Sequence, residues 1–221
     1  MYKFFSFLVS FFASFIKAAV SSLVICTGVA AVAYYGPKAY TNLMYNANMD
    51  DVLYVSVKLQ NGYTIHGTGF HILKPDGTMV LLTNAHICND SAVLYTAIDV
   101  KGVEYLTRVI KKSKDTDLCI LTPIKNKKPF RLTTRSFYEE PLFSIGWPSN
   151  YPILISEGKL VGWVNTRNEG NVLQTTIQVR HGNSGSPVLD ISGRVVGIVY
   201  AMDEGSWAKV ISSQDIINFI K

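Results

Sequence analysis

The sequence predicts an all-β protein: two six-stranded antiparallel barrels packed side by side with a cleft between them, followed by one short C-terminal helix. Three observations carry this. From residue 50 onward, short runs rich in β-branched and aromatic residues alternate with Gly, Pro and Asn turn signals, the texture of a sandwich or barrel. The stretch 125–129 divides these runs into two series of similar size. Helical periodicity is confined to 213–220, where Ile216, Ile217 and Ile220 share a face and Ser213 can cap the first turn.

The elements follow in order. Residues 4–35 contain no acid and a single base, Lys17, and 24 of those 32 positions are apolar. A bilayer-spanning helix needs about 20 such residues, so the run reads as a single-pass membrane anchor; 36–49 reads as a linker. A cleaved signal peptide is the competing reading, with Ala31-Val32-Ala33 as a small-x-small processing site. Lys3 and Lys17 favour the N-terminal end inside and the folded domain on the non-cytoplasmic side. Strands are then expected at 52–59, 63–73, 79–83, 92–99, 104–110 and 118–122 for a first barrel of about 50–128. A second series at 142–146, 153–164, 172–179, 187–190, 194–200 and 207–211 makes a barrel of about 129–212, with the helix in 213–221. Asn61-Gly62, Pro75-Asp76-Gly77 and Ser192-Gly193 supply turns between them.

Composition excludes several classes. Apolar residues are 48% and charged residues 17% of the 221, too greasy for a disordered chain, and the mean hydropathy of +0.19 reflects the front end. The net charge of +5 comes from lysines scattered in loops, with no stacking aromatics and no nucleic-acid module, so no nucleic-acid partner is expected. Cys26 lies in the apolar run. Cys88 and Cys119 match no zinc spacing and neither demand nor exclude a disulfide, so no metal is expected.

Three places carry chemistry, in the order His, Asp, Ser. Thr83-Asn84-Ala85-His86 follows an apolar strand; Asp115 and Asp117 precede the buried run Leu118-Cys119-Ile120-Leu121; and Gly182-Asn183-Ser184-Gly185-Ser186-Pro187 places a serine in a glycine-flanked turn. A serine hydroxyl is a poor nucleophile unless a base removes its proton, an imidazole can do so near neutral pH, and an acid behind it fixes the tautomer. His66 and His71 read as strand residues, and Trp147 and Trp207 as barrel packing.

These pieces resemble a known family. His66-Gly67-Thr68-Gly69-Phe70, Pro75-Asp76-Gly77, Thr83-Asn84-Ala85-His86, Thr116-Asp117-Leu118, Gly182-Asn183-Ser184-Gly185 and Val195-Val196-Gly197-Ile198-Val199, in that order, are similar to trypsin-fold serine proteases of the HtrA (Deg) type. The resemblance implies a trypsin-like double barrel over 50–221 with no PDZ domain. It implies His86 as general base, Asp117 rather than Asp115 as its orienter, and Ser184 as nucleophile. The oxyanion hole would be the backbone of Gly182 and Ser184. Gln178, His181, Tyr200, Ala201 and Met202 would meet substrate, and with no acid among them a Lys or Arg preference is not expected. Two positions depart from the family: Ser186 stands where a second glycine is usual, and His181 where proline is common.

The resulting expectation is a membrane-tethered serine endopeptidase acting on protein or peptide substrates, needing no cofactor, touching a lipid bilayer through its N-terminal segment, and leaving a homo-oligomer open. The alternatives are a catalytically silent, membrane-anchored peptide-binding module and a self-processing viral or phage protease.

Overall fold

The computed structural model describes residues 48–166 and 170–221; the expected membrane run 1–35 and most of the linker lie outside the described residues. Among the described residues no helix is long and apolar enough to cross a membrane.

A 3-10 turn, Met49–Asp51, leads into a first sheet of seven strands: β1 Val52–Leu59, β2 Thr64–Leu73, β3 Met79–Asn84, β4 Ala92–Ile98, β5 Glu104–Thr107, β6 Val109–Ser113 and β7 Leu118–Leu121. They pair antiparallel in the order β5-β4-β1-β2-β3-β7-β6. The turn chemistry is as expected. Gly62 (φ 84°) donates its N–H to Leu59 O at 3.0 Å, and Gly77 (φ 81°) to Lys74 O at 2.9 Å, both in the left-handed region that glycine enters without a Cβ penalty.

The first barrel departs from expectation in one respect. The run expected as one strand, 104–110, breaks at Arg108: β5 pairs with β4, whereas β6 pairs with β7. The run therefore changes partner at a corner. The two edges of the sheet are therefore one residue apart in the chain. Thr122 N donates to Arg108 O and Thr107 Oγ1 to Thr122 O, both at 2.9 Å. The sheet curls onto itself, but covalent chain and loop bonds join its edges where a seventh ladder would close a barrel.

The second sheet is a closed barrel of six strands: β8 Pro141–Gly146, β9 Leu154–Thr166, β10 Gly170–Gln178, β11 Pro187–Leu189, β12 Val195–Met202 and β13 Trp207–Ser212, in the order β10-β13-β12-β11-β8-β9. Each sheet has its own core. Leu53, Val55, Val57, Leu81 and Leu121 fill the first; Leu142, Leu160, Ile177, Val188 and Val210 fill the second. Full burial of each such side chain contributes roughly 1.5–3 kcal/mol.

The connection between the sheets is tied to both. Phe130 N donates to His71 O at 2.7 Å, Val195 N to Arg131 O at 2.8 Å and Thr133 N to Val195 O at 2.9 Å. Helix α1, Ser213–Ile220, closes the chain over buried Ile216, Phe219 and Ile220. Its cap is Ser212, whose Oγ accepts the Asp215 N–H at 3.2 Å. Ser213, the expected cap, instead donates its hydroxyl to Thr133 O and pins the helix to the connection. Trp207, expected as barrel packing, is 43% exposed.

Candidate active site

The site grows from the ends of β3 and β7. These strands are hydrogen-bonded in register, Asn84 opposite Leu118 and Thr83 opposite Cys119, so the residues just beyond them must meet. Asp117 precedes β7 in a left-handed conformation (φ 48°), which a short polar side chain tolerates. Its carbonyl accepts from Ala85 N and Asn84 Nδ2, each at 3.0 Å. Its carboxylate accepts the His86 backbone N–H on Oδ1 at 2.9 Å and faces His86 Nδ1 from Oδ2 at 2.8 Å.

A carboxylate only accepts, so Nδ1 carries the proton and the Nε2 lone pair is left free to take another. Asp115, two residues earlier, is exposed. Cys88 and Cys119 form a buried disulfide two residues beyond His86 and two beyond Asp117, a covalent tie between the two segments that carry the pair. The pair lines a cavity of about 500 Å³ together with Asn89, Asp90, Lys112 and Lys114.

Ser184 sits in a turn built on glycines. Asn183 N donates to Arg180 O at 3.0 Å, with Gly182 (φ 95°) in the third place of that turn, where only glycine is comfortable. A Cβ on Gly182 would lie 2.4 Å from Trp147 O, and one on Gly185 (φ 90°) 1.9 Å from Thr68 O. Ser186 keeps its hydroxyl buried against Gly146, where a Cβ would come within 2.0 Å of it. The serine is thus accommodated by a missing side chain on β8.

Thr68 holds the turn against β2. Its N–H donates to Ser184 O at 2.7 Å, its hydroxyl to Gly182 O at 3.0 Å, and its carbonyl accepts Thr83 Oγ1 at 2.7 Å. Neighbouring Gly67 leaves room for both arms of the site: a Cβ there would meet Ser184 O at 2.8 Å and Ile87 Cδ1, next to His86, at 3.0 Å. In sequence Gly67 and Thr68 are only part of a motif; in the fold they are the floor on which the His and Ser segments meet. Between Ser184 Oγ and His86 no hydrogen bond is formed among the described residues.

Ser184 opens into a cavity of about 200 Å³ lined by Val179, Arg180, His181, Val199, Tyr200, Ala201 and Met202. Four of the five expected pocket residues therefore gather beside it. Gln178 does not: it is exposed and lines a neighbouring cavity, of about 550 Å³, with Pro148, Leu154, Asn183 and Ser206. Val179 and Arg180 line both cavities. Arg180 is drawn aside by Tyr151, with Nη1 donating to the phenol at 3.1 Å and the guanidinium 4.9 Å from the ring centre.

A family model described as a trypsin-like peptidase domain matches residues 67–198. The chain is 28% identical over 158 residues to a "probable periplasmic serine endoprotease DegP-like" of Chlamydia pneumoniae, covering 67% of this chain and 31% of that protein. It is 30% identical over 154 residues to the protein of the same description from Rhizobium meliloti, covering 65% and 29%. The chain therefore spans under a third of the length of these relatives. Among solved structures, the active form of the Rv3671c protease from M. tuberculosis superposes with a TM-score of 0.73 at 18% identity, covering 83% of this chain and 85% of that one, a likeness of fold.

Proposed function

The chain belongs to the trypsin-like peptidase domain family, and from that membership we propose that it is a membrane-tethered serine endopeptidase of the HtrA type. The observation that carries the reading is the His86–Asp117 pair, with Asp117 Oδ2 facing Nδ1 at 2.8 Å and Nε2 left as the base. Ser184 Oγ would attack the scissile carbonyl while Nε2 takes its proton. The acyl-enzyme forms as the same proton passes to the leaving amine, and water activated by His86 then hydrolyses the ester.

The Gly182 and Ser184 amides, each free of any protein acceptor among the described residues, would hold the oxyanion; losing one such donor commonly lowers the rate on the order of 10²–10³. A catalytic serine–histidine bond is often long in a substrate-free enzyme and tightens on binding. The cavity beside Ser184, about 200 Å³ and walled by Val179, Val199, Ala201 and Met202, suits a small or apolar side chain at the cleavage position. The apolar run 4–35, interrupted only by Lys17, supports the tether and a protease domain on the non-cytoplasmic side.

Labelling of the full chain by a fluorophosphonate probe, lost in Ser184→Ala, tests the activity; an unlabelled chain beside a labelled control protease ends it. Protection of the domain from added protease in sealed vesicles tests the orientation. The open Ser184–His86 contact favours a second reading, a silent peptide-binding module. Measurable peptide affinity with neither labelling nor turnover would select it.

A further inference from the structure

We propose that Ser149 and His66 are positioning residues that aim the Gly182 amide, acting through the carbonyl of His181. The inference rests on the protease reading, in which that amide is the first donor of the oxyanion hole.

His181 O is the acceptor of two bonds from one residue. Ser149 N donates to it at 2.7 Å and Ser149 Oγ at 3.0 Å. No peptide among the described residues is cis. In a planar trans peptide the C=O and N–H point in opposite directions, so fixing His181 O toward Ser149 turns Gly182 N–H the other way. Were that peptide to rotate, its carbonyl would lose both donors, and the oxyanion would face a second oxygen in place of a proton.

Ser149 is itself held. It lies in a turn closed by Tyr151 N to Pro148 O at 3.2 Å, with Asn150 at φ 64°. His66 Nε2 lies 2.7 Å from its hydroxyl. A carbonyl can only accept, so the single hydroxyl proton of Ser149 goes to His181 O, and the contact with His66 is a bond only if Nε2–H donates. The imidazole plane is set by Tyr54, stacked at 5.5 Å and 18°, with the Trp147 ring edge-on to Tyr54 at 5.9 Å. His66 is on β2 and Ser149 follows β8, so the chain of contacts crosses from the first sheet to the second. A histidine that reads in sequence as a plain strand residue thereby acquires a task.

The test uses the full chain in detergent and fluorophosphonate labelling, in which Ser184 Oγ bonds to phosphorus, fluoride leaves and His86 accepts the hydroxyl proton. Inactivation kinetics separate binding (KI) from chemistry (kinact). Ser149→Ala keeps one of the two bonds to His181 O, so kinact should fall about 10-fold, well short of the full loss of a donor, with KI within about twofold. His66→Phe, which keeps the stack on Tyr54, should fall in the same direction, and His66→Gln, which retains a donor, should recover most of the rate. The double variant Ser149→Ala/His66→Phe should be no slower than Ser149→Ala alone, because both act along one chain of bonds.

Wild-type kinact in both single variants, or an effect confined to KI, overturns the proposal. If the wild-type chain itself does not label, the protease reading fails separately. Crystal structures of the wild type and Ser149→Ala then decide: a rotated His181–Gly182 peptide in the variant supports the positioning role, and an unchanged one overturns it.

Discussion

Acidification from pH 7.5 to 4 is expected to destabilise this fold through one imidazole. His71 is fully buried in β2, its Nε2 accepts the Ile124 N–H at 2.9 Å, and its Nδ1 has no partner. Burial, and secondarily the Lys127 ammonium, hold its pKa down from 6.5 to about 4. The sign follows from where protons bind. Above pH 6.5 neither state is protonated and the fold keeps its full stability from this group. Between 6.5 and about 4 the unfolded chain takes up a proton that the native state refuses, so stability falls. Below about 4 the native state binds it too, and this loss stops growing.

At ~1.4 kcal/mol per pH unit, that window amounts to about 3 kcal/mol, a large part of a typical domain's margin. The assay is urea unfolding of the full chain in one detergent, followed by tryptophan fluorescence at pH 7.5, 6, 5 and 4, for wild type and His71→Gln. Glutamine can still accept from Ile124 N but does not titrate. Wild type should lose about 3 kcal/mol more than the variant across the series. Parallel curves would refute the reasoning, because they would mean that the native state protonates His71 as readily as the unfolded chain does.

Three other outcomes are expected. Gly185→Ala should lower stability by about 3 kcal/mol or more in a thermal melt, since a Cβ at φ 90° would sit 1.9 Å from Thr68 O. A loss under about 1 kcal/mol would show that the turn relaxes at little cost. The double variant Cys88→Ser/Cys119→Ser, which opens a link across a sequence separation of 31, should lose about 3–4 kcal/mol by urea unfolding and slow fluorophosphonate labelling as well, because each cysteine is two residues from a member of the His86–Asp117 pair. Ala201→Phe, which fills much of the cavity beside Ser184, should lower kcat/KM about 10-fold for peptides with a large residue at the cleavage position, whereas Gln178→Ala should leave the preference unchanged in a peptide library.

The strands were legible because their determinants are local. β-rich runs bounded by turn residues placed β1 at Val52–Leu59 and β3 at Met79–Asn84 within a residue of expectation. What failed depends on partners. Nothing in Glu-Tyr-Leu-Thr-Arg-Val-Ile announces that its first half pairs with β4 and its second with β7. Choosing Ser212 over Ser213 as the cap likewise needed the carbonyl of Thr133, 80 residues away, which claims the second hydroxyl. The cysteines could not be paired from spacing, yet strand register makes their meeting almost obligatory: Thr83 opposite Cys119 brings the segment after β3, with Cys88, over β7.

The site divides along the same line, and Gln178 shows why. His86 and Asp117 stand just beyond two paired strands, and Ser184 stands in a turn that needs its own glycines, so each carries a local signature. A pocket residue counted six places back from the serine must instead be followed through β10. Ladder register shifts between Gln174 and Thr175 on one side and between Gln174 and Gln178 on the other. Val172 and Leu173, adjacent, are both buried, so the period-2 alternation that assigns faces is already broken before the chain reaches the site. From Leu173 to Arg180, however, buried and less buried residues alternate without a break, so these shifts exchange no faces of β10 there. On that alternation Val179 is buried and Gln178 exposed, and Val179 and Arg180 line the cavity beside Ser184. The side chain that faces the serine's turn is therefore set by the phase of the alternation from Leu173 onward, which a count back from Ser184 cannot see, because adjacent burial of Val172 and Leu173 resets that phase upstream.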